Sequence, residues 1–123
     1  MSLLIKKEGL LSTTQDTGRN NFRRFGINPN GAMDETAVKL INILLGNNEN
    51  EAVVEMHFPA PEIVFEEDAV FAIGGADFGA KLNDDEVIEN WRIYFAESGS
   101  ILKFTEELFG NRCYLAVKGG FKI

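Results

Sequence analysis

The chain has 123 residues, 45% hydrophobic and 25% charged, with a formal net charge of −7. That length suits one domain able to bury a core without staples. The acidic balance argues against non-specific nucleic-acid binding, because Lys and Arg never cluster beyond a pair (Lys6-Lys7, Arg23-Arg24). The single cysteine, Cys113, cannot form an internal disulfide, and its neighbours "YLAV" read as core.

The opening "MSLLIKKEGLL" places Lys6, Lys7 and Glu8 where a secretory leader would continue its apolar run. No apolar run is long enough to span a membrane, so a cytoplasmic setting is the expectation. The stretch Gln15 to Asp34 follows, rich in turn formers and charges, and reads as one long loop. Within it, Asp16 and Arg19 flank Gly18 closely enough to pair. Arg19 could instead present its fork to a carboxylate or amide ligand. The alternative is a structural loop pinned by an Asp–Arg contact.

Glu35 to Leu45 is the strongest helix. Ala37, Val38, Leu40, Ile41, Leu44 and Leu45 share one face at the helical period, and Ile43 falls on the polar face. Asp34 stands at the N-cap and Gly46 at the C′ position. Asp34 can be read purely as a cap, or as marking a helix start that hosts an anion.

Strands fill the rest. "AVVEMHF" (Ala52–Phe58) alternates, with Val54, Met56 and Phe58 on one face and Val53, Glu55 and His57 on the other. Glu55 and His57 therefore form an acid–imidazole pair or the wet side of a strand. With one histidine, a protein-only zinc site is not expected. "EIVF", "AVFAI", "WRIYFA", "ILKF" and "RCYLAV" are short, β-branched or aromatic segments, and "KLNDDEVI" predicts a hairpin around Asn83-Asp84. "IGGADF" (Ile73–Phe78) reads either as a tight turn or as a site where Gly74 and Gly75 let a ligand approach beside Asp77. No GxGxxG, P-loop or nucleophile-elbow pattern is present. Many short strands with one helix predict an antiparallel sheet or barrel. The strand before Gly119-Gly120 is expected to lack its next neighbour and to leave an open edge. That predicts a fragment, a split protein, or an edge covered by another chain.

Six segments, in order, resemble one known family. They are "GLLSTTQDTGR" (Gly9–Arg19), "GINPNGAMD" (Gly26–Asp34), "LLGNNENEAVVE" (Leu44–Glu55), "GGAD" (Gly74–Asp77), Trp91 and "GNRCYLAVKGG" (Gly110–Gly120). Together they resemble the first part of the biotin-dependent carboxyltransferase family, also called allophanate hydrolase subunit 2. Its members include the C subunit of bacterial ATP-dependent 5-oxoprolinase and a protein that antagonises the inhibitor of a sporulation histidine kinase. The resemblance covers essentially the whole chain, residues 1–123.

The resemblance implies a mainly β, cyclophilin-like barrel, present here as its N-terminal portion, with one amphipathic helix. It implies one component of a lactam or amide hydrolase, inactive in isolation, whose cleft is shared with a partner of similar fold in a complex with a third subunit. The substrate would be a small molecule. No cofactor would be bound by this chain itself; ATP would belong to the assembled complex, and biotin to a urea or allophanate alternative. A non-catalytic binder of a kinase inhibitor and a homodimer formed through the open edge are the other expectations. Asp77 and Glu55 fall on matching positions and are the expected catalytic groups. Gln15, Asp16, Arg19, Asp34, Gly74 and Gly75 are the expected substrate-binding ones, with Arg19 as anchor. Departures from the family pattern stand at Asn20-Asn21, Asn30 and His57, and they bear on the substrate more than on the fold.

Overall fold

The computed structural model describes residues 34–121, together with the backbone of three strands at residues 3–7, 10–13 and 25–28. Gln15, Asp16 and Arg19 lie outside the described residues. The strands are β1 (Leu3–Lys7), β2 (Leu10–Thr13), β3 (Phe25–Asn28), β4 (Val53–Met56), β5 (Glu62–Phe65), β6 (Ala69–Asp77), β7 (Ala80–Leu82), β8 (Glu86–Val87), β9 (Tyr94–Ala96), β10 (Ile101–Phe104) and β11 (Phe109–Val117). One helix, α1 (Glu35–Leu44), lies between β3 and β4.

The strands form two antiparallel sheets of order β2-β1-β5-β10-β7-β8 and β3-β4-β11-β6-β9. This is the mainly β architecture with one amphipathic helix that the sequence predicts. Among the described strands the two sheets are separate and do not close into one continuous barrel.

Alternation along the strands explains the layering. On β11, Cys113, Leu115 and Val117 point to one side, where they meet Val54, Met56, Phe71 and Ile73 of their own sheet and Ile63, Phe65, Leu82 and Leu102 of the other. This is the main core, with Phe65 and Phe71 in ring contact at 5.1 Å. Tyr114 and Ala116 point to the opposite side, where Ala37, Val38, Ile41 and Leu45 of α1 and its C-terminal end cover them with Val53 and Ala72. Small residues at Ala72 and Ala116 let the helix approach the sheet.

Both predicted caps are present. The Asp34 side chain accepts from the Ala37 N–H at 3.0 Å. At the other end Gly46 has φ +77°, its N–H donates to the Ile43 carbonyl at 3.0 Å, and the Asn47 N–H donates to the Asn42 carbonyl at 2.8 Å. These paired bonds are the Schellman arrangement. The hairpin at Asn83-Asp84 is also present: β7 pairs with β8, and both turn residues have positive φ.

Four expectations are corrected. The strand before Gly119-Gly120 is not an edge: β11 is the central strand of its sheet, paired with β4 on one side and β6 on the other. Long-range antiparallel pairing, rather than order along the chain, decides which strands are flanked. The open-edge argument for self-association through this strand therefore falls. The Gly74-Gly75 segment is not a turn after a strand, because it lies inside β6. The stretch from Gln15 to Asp34 is not one uninterrupted loop: β3 lies within it and pairs with β4, Gly26 opposite Glu55. Finally, Leu40 and Leu44 are exposed, and the buried place goes to Asn42. The Asn42 Nδ2 donates to the Glu51 carbonyl at 2.9 Å, and its Oδ1 accepts from Asn47 Nδ2 at 3.1 Å. Asn47 Nδ2 also donates to the Val117 carbonyl at 2.8 Å. This amide network ties the helix end to the end of β11, and a hydrophobic tally cannot foresee it. No helix among the described residues is long and apolar enough to cross a membrane.

Candidate functional site

The site lies on the helix side of the five-stranded sheet, and an irregularity in β11 creates it. Cys113 pairs with Gly75, but Phe109 pairs with Asp77, so β11 spends two more residues than β6 over the same span. Gly110, Asn111 and Arg112 bulge from the ladder, and a bulge redirects side chains that regular pairing would fix. Together with Asp34, Gly75, Ala76, Trp91, Phe109 and Tyr114 they line a cleft of about 330 Å³.

Two glycines allow this backbone path. Gly75 has φ +92°, and a Cβ there would lie 2.6 Å from the Arg112 carbonyl oxygen. At Gly74 a Cβ would lie 2.5 Å from the Trp91 ring and 2.7 Å from Ile41, so the indole rests directly on this glycine.

Beyond Phe71, β6 no longer pairs with β9, and the segment 88–93 takes over its carbonyls. The Trp91 N–H donates to the Ile73 carbonyl at 2.9 Å. Asn90 Nδ2 donates to the Gly75 and Ala76 carbonyls at 3.0 and 3.2 Å. Trp91 itself has φ +69°, a conformation that strains a bulky residue by about 1–3 kcal/mol and that concentrates at functional sites. The residue is 44% exposed and lines the cleft.

The polar wall is a chain of three residues. The Asp34 backbone N–H donates to the Tyr114 hydroxyl oxygen at 3.0 Å, and that hydroxyl donates to Glu55 Oε2 at 2.7 Å. Cross-strand register produces the alignment, since Glu55, Tyr114 and Gly74 are directly opposed on β4, β11 and β6. Burial and the Glu55 carboxylate push the Tyr114 phenol well above its ordinary range. It stays a neutral donor toward Glu55 at physiological pH. Arg112 also lines the cleft, its Nε buried and without a hydrogen-bond partner.

The structure thus brings together Asp34, Glu55, Gly74 and Gly75 from the residues singled out in sequence. It does not bring in Asp77. That carboxylate sits at the far end of β6, where its Oδ1 accepts from the Gly79 N–H at 3.0 Å, and it lines a separate cleft with Lys81, Glu89, Arg92 and Thr105. His57 follows β4 and is half-buried. Tyr114, Arg112 and Asn111 escaped the residue-by-residue reading. The period-two pattern of "RCYLAV" contained the signal, because it puts Arg112, Tyr114 and Ala116 opposite the core face of Cys113, Leu115 and Val117. Cys113 is fully buried, and burial pushes its thiol up to about 12, so it is a core residue and not a nucleophile.

Comparison with known proteins places this geometry in a family. The 5-oxoprolinase C subunit of Haemophilus influenzae is 42% identical over 110 residues, covering 89% of this chain and 35% of that protein. Its counterpart from Escherichia coli, also a 5-oxoprolinase C subunit, is 37% identical, covering 98% of this chain and 39% of that protein. The urea amidolyase of Lachancea kluyveri is 31% identical over 97% of this chain and 6% of its own length. The chain thus spans little more than a third of the two 5-oxoprolinase proteins. Among solved structures, TTHA0988 superimposes with a TM-score of 0.70 at 32% identity, over 75% of this chain and 19% of that one. The urea amidolyase of Kluyveromyces lactis superimposes with a TM-score of 0.68 at 26% identity, over 97% of this chain and 7% of that one. The family model for the carboxyltransferase domain, subdomain A and B, matches residues 25–123, and the chain belongs to that family.

Proposed function

We propose that this chain is part of a 5-oxoprolinase-type amide or lactam hydrolase, to which it contributes one wall of a substrate cleft. The observation that carries the reading is its identity to two 5-oxoprolinase C subunits, 42% and 37% over 89% and 98% of the chain, against 31% and 30% for two urea amidolyases and 36% over a shorter stretch, 74% of the chain, for a putative urea carboxylase. The cleft is consistent with it. It is small and lined by aromatic rings (Trp91, Phe109), polar side chains (Asp34, Asn111, Arg112, Tyr114) and small residues (Gly75, Ala76, Gly110), which suits a compact ring bearing polar groups.

Within this reading Tyr114 and Glu55 act as a positioning pair. The phenol holds the helix start against the sheet and fixes the carboxylate that any proton transfer would use. Asp34 is the helix cap and a wall of the cleft, and Gly75 keeps that wall low enough for a ligand to approach. Asp77 has a place only if a second element unites its cleft with the first. Gln15, Asp16 and Arg19 remain proposed contacts of the same substrate.

Partners of similar fold, a third subunit and a cytoplasmic setting are part of the proposal. ATP belongs to the assembled complex. The residues here do not fit a nucleotide, because a triphosphate would meet the Asp34 carboxylate and a single arginine in a 330 Å³ cleft. No step through ATP is assigned to this chain.

The test is genetic. Deletion of the gene should raise intracellular 5-oxoproline, and complementation should reverse the rise. Unchanged 5-oxoproline would overturn the reading and favour urea or allophanate chemistry with biotin, or capture of a kinase inhibitor.

A further inference from the structure

We infer that Arg112 is the carboxylate-binding group of this cleft, and that it selects a small substrate bearing an acid group beside its amide. The identity of that substrate rests on the 5-oxoprolinase-type reading; the role of Arg112 rests on four observations.

The first is the orphaned donor. Arg112 Nε is buried and has no hydrogen-bond partner, and it is the one such side-chain atom among the described residues. Buried donors are almost always satisfied, so an orphan in a cleft wall marks a missing acceptor. Geometry is the second. Nε and one Nη form the side-on edge of a guanidinium; a turn of that group toward the cleft would give the buried Nε its acceptor, with both oxygens of a carboxylate received through parallel hydrogen bonds.

Third, the ion pairs among the described residues do not involve Arg112. They join Arg92 to Glu89, and Lys103 to Glu62 and Asp84, all away from this cleft. Glu55 is turned to Tyr114 and Asp34 to the helix start, so the two nearby carboxylates have other duties. The fourth observation is placement. The bulge that carries Arg112 is held in position by Gly75, whose missing side chain makes room for the Arg112 carbonyl. In a chain of net charge −7, an acidic ligand needs a local cation to enter at all.

The chemistry then divides the cleft. A ligand carboxylate lies on the Arg112 edge, and Asn111 stands beside it. The flat part of the ligand lies against Trp91 and Phe109. Its amide faces the Asp34–Tyr114 end, where an N–H donor meets carboxylate and hydroxyl oxygens. Urea, which has no acid group, leaves the Arg112 edge empty.

The test is calorimetric titration of the full-length protein with its partner subunits. Three probes are used: 5-oxoproline, 2-pyrrolidone (the same ring without the acid) and N-carbamoylglycine (an open-chain amide acid). For the wild type, 5-oxoproline should bind at least tenfold more tightly than 2-pyrrolidone. Arg112→Gln should weaken 5-oxoproline about 10- to 100-fold, the range for a lost charge-assisted bond, and leave 2-pyrrolidone unchanged. Arg112→Lys keeps the charge but not the fork, so it should fall between them, and it carries the test if the Gln variant fails to fold. Wild-type binding of N-carbamoylglycine but not 5-oxoproline, lost in Arg112→Gln, would keep Arg112 as anchor and discard the 5-oxoprolinase reading. Equal affinity for 5-oxoproline and 2-pyrrolidone, undiminished 5-oxoproline binding in either folded variant, or no acid bound by the wild type would overturn the inference.

Discussion

The two faces of the five-stranded sheet come from the same strands and have opposite characters. The face toward the other sheet is closed and apolar, built by Val54, Met56, Phe71, Ile73, Cys113, Leu115 and Val117. The face toward the helix carries Glu55, Tyr114 and Arg112 around a cleft, with α1 covering only part of it. Neighbours one residue apart, such as Tyr114 and Leu115, therefore serve different ends. The difference teaches that a period-two strand can close one face entirely and leave on the other, beside the residues packed under the helix, a cleft whose side chain Arg112 can be changed at little cost to the main core.

Core damage gives the largest expected effect. Phe71→Ala, which removes a ring packed on Phe65 and Tyr94, should cost about 3–5 kcal/mol in urea unfolding. Arg112→Gln on the other face should cost less than about 1 kcal/mol while removing ligand binding. Comparable losses from both would break the separation.

Gly75→Ala sits where the faces meet. Its φ of +92° and the 2.6 Å approach to the Arg112 carbonyl predict a loss of about 1–3 kcal/mol together with a distorted cleft. A structure of the variant with the bulge unmoved would remove Gly75 from the site.

Tyr114→Phe keeps the packed ring and leaves the Asp34 N–H without its acceptor, a change worth about 1–3 kcal/mol. It should also release the helix start, read as faster amide exchange at Ala37 and Val38. Unchanged exchange would contradict the positioning role.

Alkaline pH separates the faces by reactivity. Cys113 rises from 9.0 to about 12 in the fold, so its protonated form is favoured there over the unfolded chain. Its contribution is complete below about pH 9 and is lost as pH climbs toward 12. Tyr114, raised in the same direction, adds to that fall. Stability should decline across this window, and a thiol reagent should modify Cys113 only as fast as the protein opens. Rapid modification at neutral pH would contradict the closed face.

The smallest effect is expected at Lys103→Ala. Its exposed pair with Asp84 (3.0 Å) is screened by solvent, so the urea-unfolding midpoint should not move measurably.

Local signals made part of this fold legible. Asp34 and Gly46 bracket α1 because capping is a short-range matter, and Asn83-Asp84 marks a hairpin because only a few residues tolerate positive φ there. Pairing partners were not legible. Nothing in "RCYLAV" says that β4 and β6 flank it, and Phe25–Asn28 becomes a strand only because β4 is there to pair. The site shows the same limit. Glu55, Asp34 and the two glycines stand out by residue type. Arg112 gains its meaning from a bulge that exists only once β11 is set against β6.

The most direct measurement of the central claim is ATP hydrolysis by the complex purified through a tag on the full-length protein, with and without 5-oxoproline. The account predicts hydrolysis stimulated by 5-oxoproline, and loss of that stimulation in Arg112→Gln at an unchanged melting temperature. Stimulation by urea instead, or 5-oxoproline stimulation that survives intact in Arg112→Gln, would contradict it.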